Sequence, residues 1–92
     1  LLEKSLPKEI EDEILDLVND TLGVKNPHNL YTRRIGNDIA IEVHIRVDGQ
    51  TTVYDAHKIT RDIENKLRLK FGSATHITLH VEPFKESELT PK

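Results

Sequence analysis

Cysteine is absent from this chain of 92 residues. That excludes a disulfide framework and any thiolate metal site, and it is compatible with a reducing compartment. Basic residues are not in excess: 13 Lys and Arg stand against 16 Asp and Glu, for a formal net charge of −3 with neutral histidines. No basic block is present, so the electrostatic footprint of a nucleic-acid binder is missing. Apolar runs are a few residues long; none reaches the length of a membrane span, and no signal peptide is visible. The four glycines form no phosphate-cradling loop. Ser5, Ser73 and Ser87 have no base beside them in a recognisable catalytic arrangement. No enzyme site is expected.

What is there is mostly charge, at 32% of the chain, and an unusual supply of histidine, with five. The histidines are scattered, so they are not a purification tag. The length suits one small domain with a modest core, which dimerisation would help to bury. The chain begins Leu-Leu instead of Met, so it is expected to be a piece of something longer.

The element pattern is α-β-β-α-β. "SLPKEIEDEILDLVNDTLGV" places Ile10, Ile14, Leu17 or Val18, and Leu22 at helical spacing. Pro7 suits the first turn, Glu9, Glu11 and Asp12 favour the positive end of the dipole, and Gly23 ends the helix. The acidic run reads as a solvated face. "HNLYTRRIGNDIAIEVHIRVDG" reads as a hairpin turning near Gly36-Asn37-Asp38. Its second arm alternates cleanly: Ile39, Ile41, Val43, Ile45 and Val47 on one face, Ala40, Glu42, His44 and Arg46 on the other. The first arm alternates poorly, and a one-residue shift would invert it, so the face of His28 is left open.

"TTVYDAHKITRDIENKLRLKFG" gives the second helix, capped by Thr52 with Asp55 three residues on. Val53, Ala56, Ile59 or Thr60, Ile63 and Leu67 form its apolar stripe, with His57 beside it, and Gly72 stops it. "THITLHVEP" alternates again, Ile77, Leu79 and Val81 against His76, Thr78, His80 and Glu82, and Pro83 is expected to end the strand. "KESELTPK" reads as a frayed polar tail over 85–92, leaving 1–84 as the domain. A crossover between strands two and three makes them parallel neighbours. Both helices then cover one face of a three-stranded mixed sheet, a ferredoxin-like α+β two-layer sandwich.

The sheet's other face is left open, and it would gather His44, His76, His80 and Glu82. Each histidine alone reads as ordinary solvated surface or, for His57, as partial packing. Together, imidazole and carboxylate form a ligand set for zinc, iron, cobalt, nickel or manganese. Alternation puts His80 and Glu82 on one face about 7 Å apart, a spacing that serves one ion or two adjacent ones.

These residues resemble a family. "HNLYTRRIGNDIAIEVHIRVD", "DAHKIT" and "ITLHVEP", with "LLEKSLPKEI" at the start, are similar to the cytoplasmic C-terminal domain of the cation diffusion facilitator metal transporters. The resemblance implies the α-β-β-α-β fold, a homodimer, and membrane helices outside this piece. It carries over His28, His44, His57, His80 and Glu82 as regulatory metal ligands. Some members have Asp where this chain has the longer Glu82. His76 matches no family ligand.

The function this implies is a cytoplasmic metal-sensing and dimerisation domain of a divalent-cation exporter, with zinc first among the metals by affinity and availability. Repulsion between ligand groups keeps two domains apart until an ion offsets it and shifts the population toward a closed pair. Binding should weaken as pH falls through the ordinary imidazole range, about 6.5. The alternative is a metal-independent ferredoxin-like regulatory or interaction module in which the histidines are incidental.

Overall fold

The computed structural model describes residues 5–84. The polar tail expected over 85–92 lies outside them. Five elements follow in the expected order: α1 (Lys8–Asn19), β1 (Lys25–Ile35), β2 (Asp38–Asp48), α2 (Val53–Phe71) and β3 (His76–Phe84). The sheet order is β1-β2-β3, with β1 antiparallel and β3 parallel to the central β2. This is the ferredoxin-like two-layer arrangement, and it follows from β2, whose alternate residues Ile41, Val43 and Ile45 are at most 1% exposed.

Both helices pack on that apolar face. Ile14 and Val18 of α1 and Ile63 and Leu67 of α2 are fully buried and join Ile41 and Ile45 in the core. Thr52 caps α2 by accepting from the Asp55 amide at 3.0 Å, and Gly72 ends it at φ +113°. The hairpin turns through Gly36-Asn37, with Gly36 at φ +60° and Ile35 opposite Asp38. A positive φ at the first central residue is the II′ pattern that suits strand twist.

Four details depart from the sequence reading. Pro7 stands as the N-cap of α1, just ahead of its first turn, where its carbonyl accepts from Ile10 and Glu11. The helix ends at Asn19, one turn before Gly23, so Leu22 falls in the following turn and is 89% exposed, off the apolar stripe. Val53, the first residue of α2, is likewise exposed, because the helix meets the core further along. Pro83 does not end β3, which runs to Phe84 with Pro83 opposite Val47. β3 is an edge strand, where proline is tolerated.

The acidic face of α1 is not wholly solvated. Thr32 on β1, 1% exposed, accepts from the Leu6 amide at 3.0 Å and donates to a Glu11 carboxylate oxygen at 2.6 Å. This ties the chain leading into α1 to the sheet.

Candidate metal centre

β2 sets the frame for the open face, because its even-numbered residues point away from the helices. Across the parallel ladder, His44 lies opposite His80 and Arg46 opposite Glu82. On the other side His28 lies opposite His44. His28, His44 and His80, one from each strand, therefore fall in one row across the sheet, which resolves the face of His28.

Two bulges in β1 make this possible. Between Lys25 and His28, and again between His28 and Tyr31, three residues of β1 span two of β2. Each extra residue is accompanied by an asparagine in the left-handed region, Asn26 at φ +47° and Asn29 at φ +51°. An inserted residue of this kind breaks the alternation and re-aims the side chains beside it. Leu30 thus packs on the core while His28, two residues earlier, faces the opposite way. Asn29→Val is expected to lower stability by about 1–2 kcal/mol, because a β-branched residue resists the left-handed region. Asn29→Gly should be close to neutral in the same thermal melts.

The bulge at Asn26 also fixes a proton. The Asn26 carbonyl lies 2.7 Å from His28 Nδ1. A carbonyl accepts and cannot donate, so Nδ1 carries the hydrogen and Nε2 of the neutral ring is left with a lone pair. That lone pair looks at Glu82 Oε1, 3.0 Å away. Two acceptors at this separation repel unless a proton or a cation lies between them. His44 Nδ1 is 3.8 Å from the same oxygen, is shielded from solvent, and has no hydrogen-bond partner among the described residues. Arg46 Nε approaches Glu82 Oε1 at 4.0 Å and adds a fixed positive charge at the rim.

His28, His44 and Glu82 thus offer donor atoms within 4.8 Å of one another. Tetrahedral zinc places its ligands about 3.3 Å apart, so small side-chain rotations would close the group around an ion. Two imidazoles and a carboxylate leave a position for water, and the buried, unpartnered His44 nitrogen is the feature such an ion would satisfy. The Asn26 carbonyl orients the His28 ring as an outer partner orients a ligating imidazole.

Of the five residues expected as ligands, His28, His44 and Glu82 come together here. His80 stacks on His44 at a ring separation of 4.3 Å and an interplanar angle of 14°. Its Nε2 lies 3.1 Å from Glu42 Oε2. Glu42, His44 and His80 form a second group within 4.8 Å. His57 is exposed near the start of α2, in the layer behind the sheet, and belongs to neither group. His76 shares the face of His80 but sits four residues away, about 13 Å along the strand. Glu42 was missed as a site residue, although its parity with His44 was visible; Arg46 was legible in the same way.

Residues 6–84 match the family described as cation efflux protein, cytoplasmic domain. The chain belongs to the cation efflux family. Its cytoplasmic domain here is 34% identical over 83 residues to the cation-efflux pump FieF of Pectobacterium atrosepticum, covering 90% of this chain and 27% of the pump. A zinc form of CzrB is 32% identical with a TM-score of 0.76, covering 92% of this chain and 97% of that one. The metal-bound C-terminal domain of the CzcD transporter from Thermotoga maritima is 36% identical with a TM-score of 0.73, covering 83% and 88%. The chain spans 27–28% of the length of the curated relatives it matches. Among the described residues, no helix of this cation efflux domain is long and apolar enough to cross a membrane.

Proposed function

We propose that this domain is the metal-sensing and dimerisation module of a divalent-cation exporter, and that zinc is the metal it binds. The carrying observation is the meeting of His28 Nε2 and His44 Nδ1 at Glu82 Oε1, 3.0 and 3.8 Å away, from three different strands. These three residues would hold the ion, with His80 stacked beside them. The zinc form of CzrB and the metal-bound domain of CzcD support the choice of ligand class. Because His57 faces solvent on α2, its proposed share in binding comes from a second copy of the chain. A bound cation supplies positive charge that offsets the repulsion among Glu42, Glu82 and their counterparts in that copy. The domain's own part is to aim the ligand nitrogens at one point. The attached transporter then reads the closed pair as a population shift, no larger than the metal's preference for that state.

Three clefts of about 300, 470 and 210 Å³ are lined by other residues, such as Leu6 and Phe71, Leu69 and Ser73, and Leu22 and Asp62. The histidine row lies on the sheet face that the two helices leave open.

Calorimetric titration with zinc tests the site, and sedimentation with zinc or chelator tests the dimer. Unchanged uptake in a His44→Ala, His80→Ala double variant would overturn the assignment. Chelator-indifferent dimers without metal uptake would favour the metal-independent module. Affinity should fall steadily as pH is lowered below neutrality, since protons compete for the imidazole nitrogens that must be free to bind. A zinc affinity flat from pH 7.5 to 5.5 would contradict histidine ligation.

A further inference from the structure

We propose that the cleft between the β1–β2 hairpin and the last turn of α2 binds the anionic end of an amphiphile, a phosphate or carboxylate carried on a short apolar chain. The inference goes beyond the metal-binding reading and does not rest on it, because the histidine row lies on the opposite face of the sheet.

Strand parity builds the cleft. Leu30 and Thr32 of β1 point to the helix side, the first packed against the core and the second 1% exposed. Arg34 shares their parity and lies opposite Ile39 in the hairpin ladder. A guanidinium is thereby sent to the apolar side of the sheet, beside the end of α2, whose last residues are Lys70 and Phe71. Leu6 and Ile39, both buried, and the partly buried Phe71 line a space of about 300 Å³ there together with Arg34 and Lys70. Lys70 Nζ lies 5.9 Å from the centre of the Phe71 ring, so its charge stands over the apolar wall.

Both charges are available to a ligand. No hydrogen bond or ion pair holds the Arg34 side chain among the described residues. Lys70 meets Glu13 at 3.2 Å, but side-chain exposures of 42% and 51% leave that pair screened by water. The Arg fork matches two oxygens of a phosphate or carboxylate, and Lys adds a point charge from the facing element. The apolar floor then covers the first carbons of the attached chain, whose burial adds affinity. A few converging polar groups over an apolar floor are the pattern of a small-molecule site.

Hexyl phosphate is the probe. The 92-residue chain, isotope-labelled, would be titrated with hexyl phosphate and with inorganic phosphate while its amide resonances are followed. Hexyl phosphate should shift Leu6, Ile39 and Phe71 and bind about tenfold or more tighter than inorganic phosphate. Arg34→Gln should weaken it about tenfold. Glu13→Gln should strengthen it, since Lys70 loses a competing carboxylate. Asp62→Asn makes the same charge change at the cleft beside Leu22 and should leave affinity where it was. Vesicles of phosphatidylcholine with and without phosphatidic acid then identify the source. Arg34-dependent sedimentation with the acidic vesicles points to a lipid headgroup; hexyl phosphate binding without it points to a soluble amphiphile. No binding of hexyl phosphate, affinity unchanged in Arg34→Gln, or equal gains in Glu13→Gln and Asp62→Asn would overturn the proposal. Zinc uptake, read on the same samples, would stand or fall separately.

Discussion

His44→Ala is expected to weaken the tightest zinc binding by about a hundredfold or more, equivalent to about 2.7 kcal/mol. His44 is the residue common to both donor groups, so its loss leaves each with two protein ligands. Removing a direct ligand should exceed the tenfold to hundredfold effects seen for outer partners. The ring lies on the open face, a quarter exposed, so the fold should lose little. Calorimetric titration beside a thermal melt without metal separates the two effects. His76→Ala is the control: it removes an imidazole from the same face but belongs to neither group, and zinc affinity should hold. Wild-type affinity in His44→Ala would remove the basis for a site at the centre of the sheet.

The parts of this site that could be read in the sequence are those governed by strict alternation. β2 keeps its period for the whole strand because the extra residue of each bulge lies on β1 and not on β2, and the residues on its apolar side are needed for the core. His44 is placed by that rule, and β3 obeys it well enough to place His80 and Glu82. β1 does not, since each bulge shifts the period by one. Asn26 and Asn29 were the available signal, as asparagine tolerates the left-handed region better than most residues. Such tolerance does not say which asparagine adopts it. The tautomer of His28 was further out of reach, because it depends on a backbone carbonyl placed by the first bulge. The end of α1 was misjudged for a related reason: Leu22 continues the spacing, but spacing cannot reveal that the chain has already left the helix.

A core substitution tests whether site and fold are one cooperative unit. Ile45 follows His44 on β2, points to the opposite face and is fully buried. Ile45→Ala should cost about 2–5 kcal/mol through lost burial and an unfilled cavity. In a domain of this size each kcal/mol moves the melting temperature by about 4–8 °C, and total stability is commonly about 5–15 kcal/mol. Zinc should then recover much of the loss: a ligand that binds the folded chain alone adds about 2.7 kcal/mol at a hundred times its dissociation constant. Thermal melts of Ile45→Ala with and without zinc measure that recovery. It should vanish when His44→Ala is added, because the donor row that discriminates folded from unfolded chain is then broken. Recovery that survives the second substitution would mean zinc stabilises the domain through groups other than this row. An ordinary core loss with no recovery at saturating zinc would mean the unfolded chain binds as well as the folded one, so the strands would not be presenting the ligands as a preformed set.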